Sequence, residues 1–167
     1  MLMVYDLFQA ECSQIDTIIQ TPGMSESERD AFLERFAQQN PETLVGFAVM
    51  GGIFGEGIDL VGNRLSGAAV VGVGLPAISL ENELIRHYFE KFFNAGFEFA
   101  YLYPGINRVL QAAGRVIRTE EDRGVVLLID QRYATARYRS LLPEHWRPIQ
   151  AINHQQLAED LQAFWMQ

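Results

Sequence analysis

The apolar positions of this chain follow two different periods. Leu44–Met50 (LVGFAVM), Gly67–Gly74 (GAAVVGVG) and Val125–Asp130 (VVLLID) are short continuous apolar runs. Runs of that length and small-residue character predict parallel strands buried on both faces. Ile15–Gln20 (IDTIIQ) predicts a shorter strand, closed by Pro22 and Gly23. Between these runs the period lengthens to that of a helix. Val4–Glu11 is helical in pattern, and Phe32, Leu33 and Phe36 form a stripe that Ser25 and Glu28 precede as a capping box. Asn40 and Pro41 end that helix. Leu80–Phe93 places Leu84, Ile85, Tyr88, Phe89, Phe92 and Phe93 at helical spacing on a core-facing side. Phe97–Tyr103 alternates and reads as extended, either strand or loop. Pro104 and Gly105 open a helix reaching about Arg118, and Gln155–Trp165 forms a last amphipathic helix whose Leu157, Leu161, Phe164 and Trp165 pack down. Strands alternating with helices predict an α/β layered domain with a mostly parallel sheet. The length of 167 residues suits a single domain over 1–167, with 147–167 as a C-terminal helical tail. In such sheets ligands gather at the carboxyl ends of the strands.

Composition narrows the classes. The chain is 49% hydrophobic and 20% charged, as globular proteins are. No apolar run approaches about 20 residues, so no membrane partner is expected. The N-terminal MLMVYDLFQAE has neither a basic region nor a small-residue cleavage site, which points to a cytoplasmic protein. The single cysteine, Cys12, excludes an internal disulfide and a thiolate metal cluster. His87 and His154 have no further ligand at metal-binding spacing, so no metal site is expected in the chain. With 21 acidic and 13 basic residues, the net charge is −8. That balance exerts no general attraction on nucleic acid, and any such contact must be local.

Three segments carry candidate chemistry. Gly51-Gly-Ile-Phe-Gly-Glu-Gly-Ile-Asp59 has four glycines in seven positions directly after a strand. Such a backbone can approach a ligand closely, with Glu56 and Asp59 facing a ribose or a bound metal. No Gly-Lys-Ser/Thr follows, so it is not a phosphate loop, and a plain glycine-rich turn explains it equally well. Gly72-Val-Gly74-Leu-Pro-Ala77 fits a dinucleotide fingerprint in form, but Pro76 falls where the pyrophosphate would lie and the helix begins only near Ser79. A tight strand exit is the simpler account. In Gln111–Gly124 (QAAGRVIRTEEDRG), helical winding sets Gln111, Arg115 and Arg118 on one side and Ile106, Val109, Leu110, Ala113 and Ile117 on the other. Two guanidiniums and an amide on one face can hold a phosphate. A solvated face paired to Glu120, Glu121 or Asp122 is the alternative. Gly114 weakens this helix, and close backbone approach beside Arg115 is one reason to have it there. Tyr101, Tyr103 and Tyr133 can stack on bases or fill a core.

Taken together, GIFGEGID (Gly52–Asp59) and QAAGRVIR (Gln111–Arg118) resemble motifs V and VI of superfamily 2 helicases of the DinG/XPD type. The resemblance extends to the strands AAVVGVGLP and DRGVVLLIDQRY and covers roughly Thr17–Trp146. It implies a RecA-like three-layer α/β domain, the second of two in a motor. ATP with Mg would lie between this domain and a first RecA-like domain, which is its partner together with single-stranded DNA. Arg115 and Arg118 would face the γ-phosphate, and Gln111 would help to sense it. Glu56, Gly57 and Asp59 would couple the nucleotide to DNA, and Gly52, Ile53 and Phe54 would touch the DNA backbone. The phosphate loop, the acidic box and the four-cysteine iron–sulfur motif of some relatives are absent from the sequence. The resemblance therefore implies a fragment cut after motif IV, inactive alone, with its arginines exposed. Two other functions fit the residues: a free-standing nucleotide-binding α/β protein using the Gly72 loop, and a degenerate RecA-like module that docks a partner without turnover.

Overall fold

The computed structural model describes residues 1–37, 42–51, 65–117, 122–146, 148, 150 and 153–166. It divides into two compact units, Met1–Asp130 and Gln131–Gln167. The first opens with helix α1 (Leu2–Glu11), strand β1 (Asp16–Ile19), helix α2 (Glu26–Ala37) and strand β2 (Leu44–Phe47). Strands β1 and β2 pair in parallel, Asp16 opposite Leu44 through Ile19 opposite Phe47. Consecutive residues of a strand point to opposite faces. Phe47 meets Tyr5 and Phe8 of α1 edge to face, at 5.3 and 5.5 Å between ring centres. On the other face Gly46 lies under Phe36 and Phe32 of α2, so close that a Cβ there would fall 2.6 Å from a Phe36 ring carbon. The capping box forms as the sequence predicts. The Ser25 amide donates to Glu28 Oε2 at 2.7 Å, and the Glu28 amide donates back to Ser25 Oγ at 3.3 Å. The expected end of α2 at Asn40 and Pro41 lies outside the described residues.

Strand β3 (Gly67–Val71) pairs in parallel with β4 (Val125–Ile129), Gly67 opposite Val125 through Val71 opposite Ile129. The parallel pairing matches expectation, but burial on both faces does not. Val70 is buried beside the helix that precedes β4, whereas Val71 and Ile129 are 58% and 52% exposed. Each sheet described has two strands. Among the described residues, helix contact falls on the Val70 side of the β3–β4 pair, and the side bearing Val71 and Ile129 stays open.

Helix α3 (Leu80–Phe93) starts where the sequence places it, with Ser79 Oγ accepting from the Asn82 amide at 3.2 Å. It is not core-facing. None of its residues is fully buried, and Leu84 and Phe93 are each 62% exposed. The helix is fixed instead by its polar flank. Tyr101 donates its hydroxyl to Glu83 Oε1 at 2.7 Å, and Arg86 grips the same carboxylate at 2.8–3.1 Å. Phe89 stacks on Phe99 at 4.1 Å.

The largest departure from the sequence reading is at 97–103. This stretch is neither strand nor loop. It is a π turn (Glu98–Leu102) that runs directly into helix α4 (Tyr103–Ala113). Proline has no amide hydrogen, and its ring collides with the carbonyl four residues back. Widening the backbone just before Pro104, with the Tyr103 amide bonding to Glu98 O, lets the helix continue through it. The alternation of Phe97, Phe99, Tyr101 and Tyr103 hides this. Ala100, Tyr101 and Leu102 are buried, while Phe99 and Tyr103 stay partly exposed with their rings edge to face at 5.2 Å. Ile106, Val109 and Ala113 of α4 complete the core of this unit with Val70, Val73 and Val116.

The second unit holds a 3₁₀ turn (Gln131–Ala134), helix α5 (Ala136–Arg139) and helix α6 (His154–Trp165). Tyr133 and Tyr138 are buried and meet edge to face at 6.2 Å. Asn153 caps α6 by accepting from the Gln156 amide at 2.8 Å. Packing of α6 is less than expected: Leu157, Leu161 and Phe164 are half-buried and Trp165 is exposed.

The Glu83 bridge makes stability depend on pH in a defined direction. Hydrogen bonds from Arg86 and then Tyr101 hold the Glu83 carboxyl below its ordinary 4.5. The bond to Glu83 raises the Tyr101 hydroxyl above 10.0. A depressed carboxyl stabilises the fold above the unfolded value and loses that share as pH falls through the folded value. A raised phenol contributes below 10.0 and loses its share as pH climbs through the folded value. Urea midpoints of Glu83→Gln should therefore fall less steeply than those of the parent below pH 4.5. Parallel curves for the two would show that the bridge contributes nothing.

Candidate nucleotide-facing site

The carboxyl ends of β1, β2 and β3 are each bound by polar contacts. Gln20, just past β1, bonds through its amide to Phe47 O at 2.8 Å and accepts through Oε1 from the Val49 amide, also at 2.8 Å. Beyond β2 the chain turns at Gly51, with φ at 74°. Beyond β3 it turns at Gly72 and Gly74, with φ at 88° and 65°. The β3 exit presses directly on the start of α4. A Cβ on Gly74 would fall 2.7 Å from Gly105 O, and one on Gly105 would fall 2.8 Å from Val73 O. Only two glycines permit this approach, and one of them must also hold a left-handed conformation.

This contact decides what the Gly72–Ala77 segment is. The side of Gly74 that lacks a side chain faces the Gly105 carbonyl, and α3 begins only after its cap at Ser79. A dinucleotide loop needs the helix N-terminus at the pyrophosphate. Here the segment is a strand exit packed against α4.

Helix α4 ends sooner than its sequence pattern predicts. The Gly114 amide bonds to Leu110 O at 2.8 Å, but those of Arg115 and Val116 bond only three residues back, to Ala112 O and Ala113 O. Winding of about three residues per turn brings i and i+3 to the same side. Val116 therefore follows Ala113 into the core, whereas Ile117, expected there, is 46% exposed. The same tightening turns Arg115 further from Gln111 than one continuous α-helix would. Gln111 is exposed on the last turn of α4, and Arg115 is half-buried in the turn that follows, not exposed as expected. Gly114 has φ of −65°, and an added Cβ would meet Leu110 O at 3.2 Å. It stands at the helix end and not inside it, so its cost to the helix is smaller than the sequence implies. Arg118, Glu120 and Glu121 lie outside the described residues, as do Gly52, Ile53, Phe54, Glu56, Gly57 and Asp59.

The structure adds one residue that the sequence reading passes over. Arg108, on α4, donates from Nη1 to Gly74 O at 3.3 Å. Its side chain also lies against Gly51, where a Cβ would fall 2.8 Å from Nε. It stands three positions before Gln111, so it shares that helical face. An arginine at this spacing is the signal that a reading starting from Gln111 misses. Among the described residues no group of three or more His, Cys, Asp and Glu side chains is placed to hold a metal, and no helix is long and apolar enough to cross a membrane.

Residues 1–149 match the helicase C-terminal domain family, and the chain belongs to it. Its relatives are superfamily 2 helicases of the DinG, XPD and CHL1 type. It is 32% identical over 130 residues to the ATP-dependent DNA helicase CHL1 of Candida glabrata, covering 70% of this chain and 16% of that protein. It is 30% identical over 103 residues to the ATP-dependent DNA helicase DinG of Photobacterium profundum, covering 60% of this chain and 15% of that one. With the general transcription and DNA repair factor IIH helicase subunit XPD of Schizosaccharomyces pombe, identity is 26% over 131 residues, 76% of this chain and 17% of the relative. The chain thus spans about one sixth of the length of these relatives.

The glycine pair beyond β3 gives a direct test of the packing. Gly74→Ala combines left-handed strain with overlap on Gly105 O and should cost about 3 kcal/mol. Gly72→Ala meets nothing within 4 Å and should cost only the backbone strain, about 1–2 kcal/mol. Urea denaturation of the two variants separates these values, and equal losses would refute the close approach.

Proposed function

We infer that the chain is the C-terminal motor domain of an ATP-dependent DNA helicase of the DinG/XPD kind. What supports this reading most is where α4 ends. The helix lies against the β3 exit, bears Gln111 on its last turn, and delivers Arg115 immediately beyond it. In this reading 1–167 form one RecA-like three-layer domain with 147–167 as a helical tail, acting in the cytoplasm. A first RecA-like domain of the same protein binds ATP with Mg and completes the cleft. When bound there, Mg would supply positive charge against the phosphates. In this reading the metal would be held outside this domain, and the described residues of the chain offer it no cluster of ligands.

The work of this domain is electrostatic. Phosphoryl transfer spreads negative charge over the γ-phosphate oxygens, with little covalent chemistry for the protein to perform. Arg115 and Arg118 meet that charge as it develops, and Gln111 reports whether the γ-phosphate is present. A guanidinium suits the task because its fixed fork of donors matches phosphate oxygens. Glu56, Gly57 and Asp59 couple the nucleotide to single-stranded DNA, whose backbone runs past Gly52, Ile53 and Phe54. Local contact of this kind is compatible with a net charge of −8, since a narrow strip and the partner domain share the phosphates.

Arg115→Ala in a helicase that carries this chain should lower ATP hydrolysis about a thousandfold, the share a single arginine finger supplies. The isolated 167-residue chain should show no turnover. Hydrolysis unchanged by Arg115→Ala, or hydrolysis by the isolated chain that Arg115→Ala abolishes, would contradict the assignment.

A further inference from the structure

We propose that Arg108 is a positioning residue that clamps the exits of β2 and β3 to α4 and so couples the Gly51 turn to the helix bearing Gln111. Three observations carry this. Gly51 and Gly74 both have positive φ, at 74° and 65°, and both lie against the Arg108 side chain. The Gly74 carbonyl accepts from Arg108 Nη1 at 3.3 Å, and a Cβ on Gly51 would come within 2.8 to 3.1 Å of Nε, Cδ and Cζ. β2 and β3 belong to different two-stranded sheets, so no strand ladder described here fixes one exit against the other. One side chain therefore touches both.

The contacts divide along the side chain. The Cδ–Nε–Cζ portion packs on the Gly51 backbone, and the terminal nitrogen reaches the Gly74 carbonyl. Movement of the Gly51 turn is thus transmitted through a short rigid fork to α4, one helical turn before Gln111. A guanidinium does this better than an ammonium because its planar group contacts backbone on one side while it donates on another. The clamp rests on geometry alone. Its consequence, that the DNA-facing and nucleotide-facing segments move together, rests on the helicase reading above.

Two measurements separate these levels. In the 167-residue chain, Arg108→Met keeps an apolar stem and loses the donor. Amide hydrogen exchange should then rise about fivefold in peptides spanning 45–51 and 70–75, and α3 should be unaffected. Exchange that rises in one of these peptides only, or in neither, overturns the clamp. In a helicase carrying the chain, Arg108→Met should lower the ratio of DNA-stimulated to DNA-independent ATP hydrolysis about fivefold, with KM for ATP within about twofold. Arg108→Lys should restore part of that ratio. A residue with only a structural role would alter exchange and leave the ratio unchanged, and that result overturns the coupling. If Arg108→Met does not fold, Arg108→Lys carries both readouts, with about twofold effects expected and no effect refuting the proposal. Arg115→Ala distinguishes failure at the level below: if it leaves hydrolysis intact, the helicase reading falls, while the exchange experiment still judges the clamp.

Discussion

The backbone of Gly74 lies on the backbone of Gly105, and the rest of the arrangement depends on that contact. It brings α4 against the β3 exit at a distance that any side chain at either position would increase. Val73, beside it, is buried, and Ile106 and Val109 fill the space below. Interiors are packed closely enough that a gap of one methyl group is felt. The contact therefore fixes the start of α4, and through a rigid helix it fixes where Gln111 and the turn holding Arg115 stand relative to the strand ends.

The π turn and Pro104 serve the same end. A proline inside a helix removes a hydrogen bond and forces a bend unless the backbone widens ahead of it. Widening at Glu98–Leu102 keeps the chain helical, buries Ala100, Tyr101 and Leu102, and leaves the Tyr101 hydroxyl free to reach Glu83. That bond ties α3 to the same element that presents α4. An exposed apolar α3 is thereby held by a polar contact and the Phe89–Phe99 stack, not by burial.

Much of this was legible in the sequence where local chemistry decides the outcome. The Ser25–Glu28 box, the Ser79 cap and the four parallel strands follow from residue types and spacing, because each depends on neighbours a few positions away. What was not legible depends on distant partners. Alternation at 97–103 imitates a strand because a π turn also sends successive aromatics to different environments. The apolar character of α3 suggests a core face, yet only contacts made elsewhere in the fold determine whether that face is covered. The site was legible in part. Helical spacing groups Gln111 with Arg115, but the switch to three-residue winding after Gly114, which turns them apart, is not visible to a fixed period. Arg108 escaped because its role comes from Gly51 and Gly74, which are remote from it in sequence and meet its side chain only in the folded chain.

The central claim is that the Gln111–Arg115 end of α4, and not the Gly72–Ala77 strand exit, faces the terminal phosphate of a nucleotide. Photo-cross-linking with an ATP analogue carrying an azide on its γ-phosphate tests this most directly in a helicase that contains the chain. Within this chain, the adduct should map to the peptide holding Gln111 and Arg115 and be competed away by ATP. An adduct on the peptide spanning Gly72–Ala77, equally competed by ATP, would contradict it.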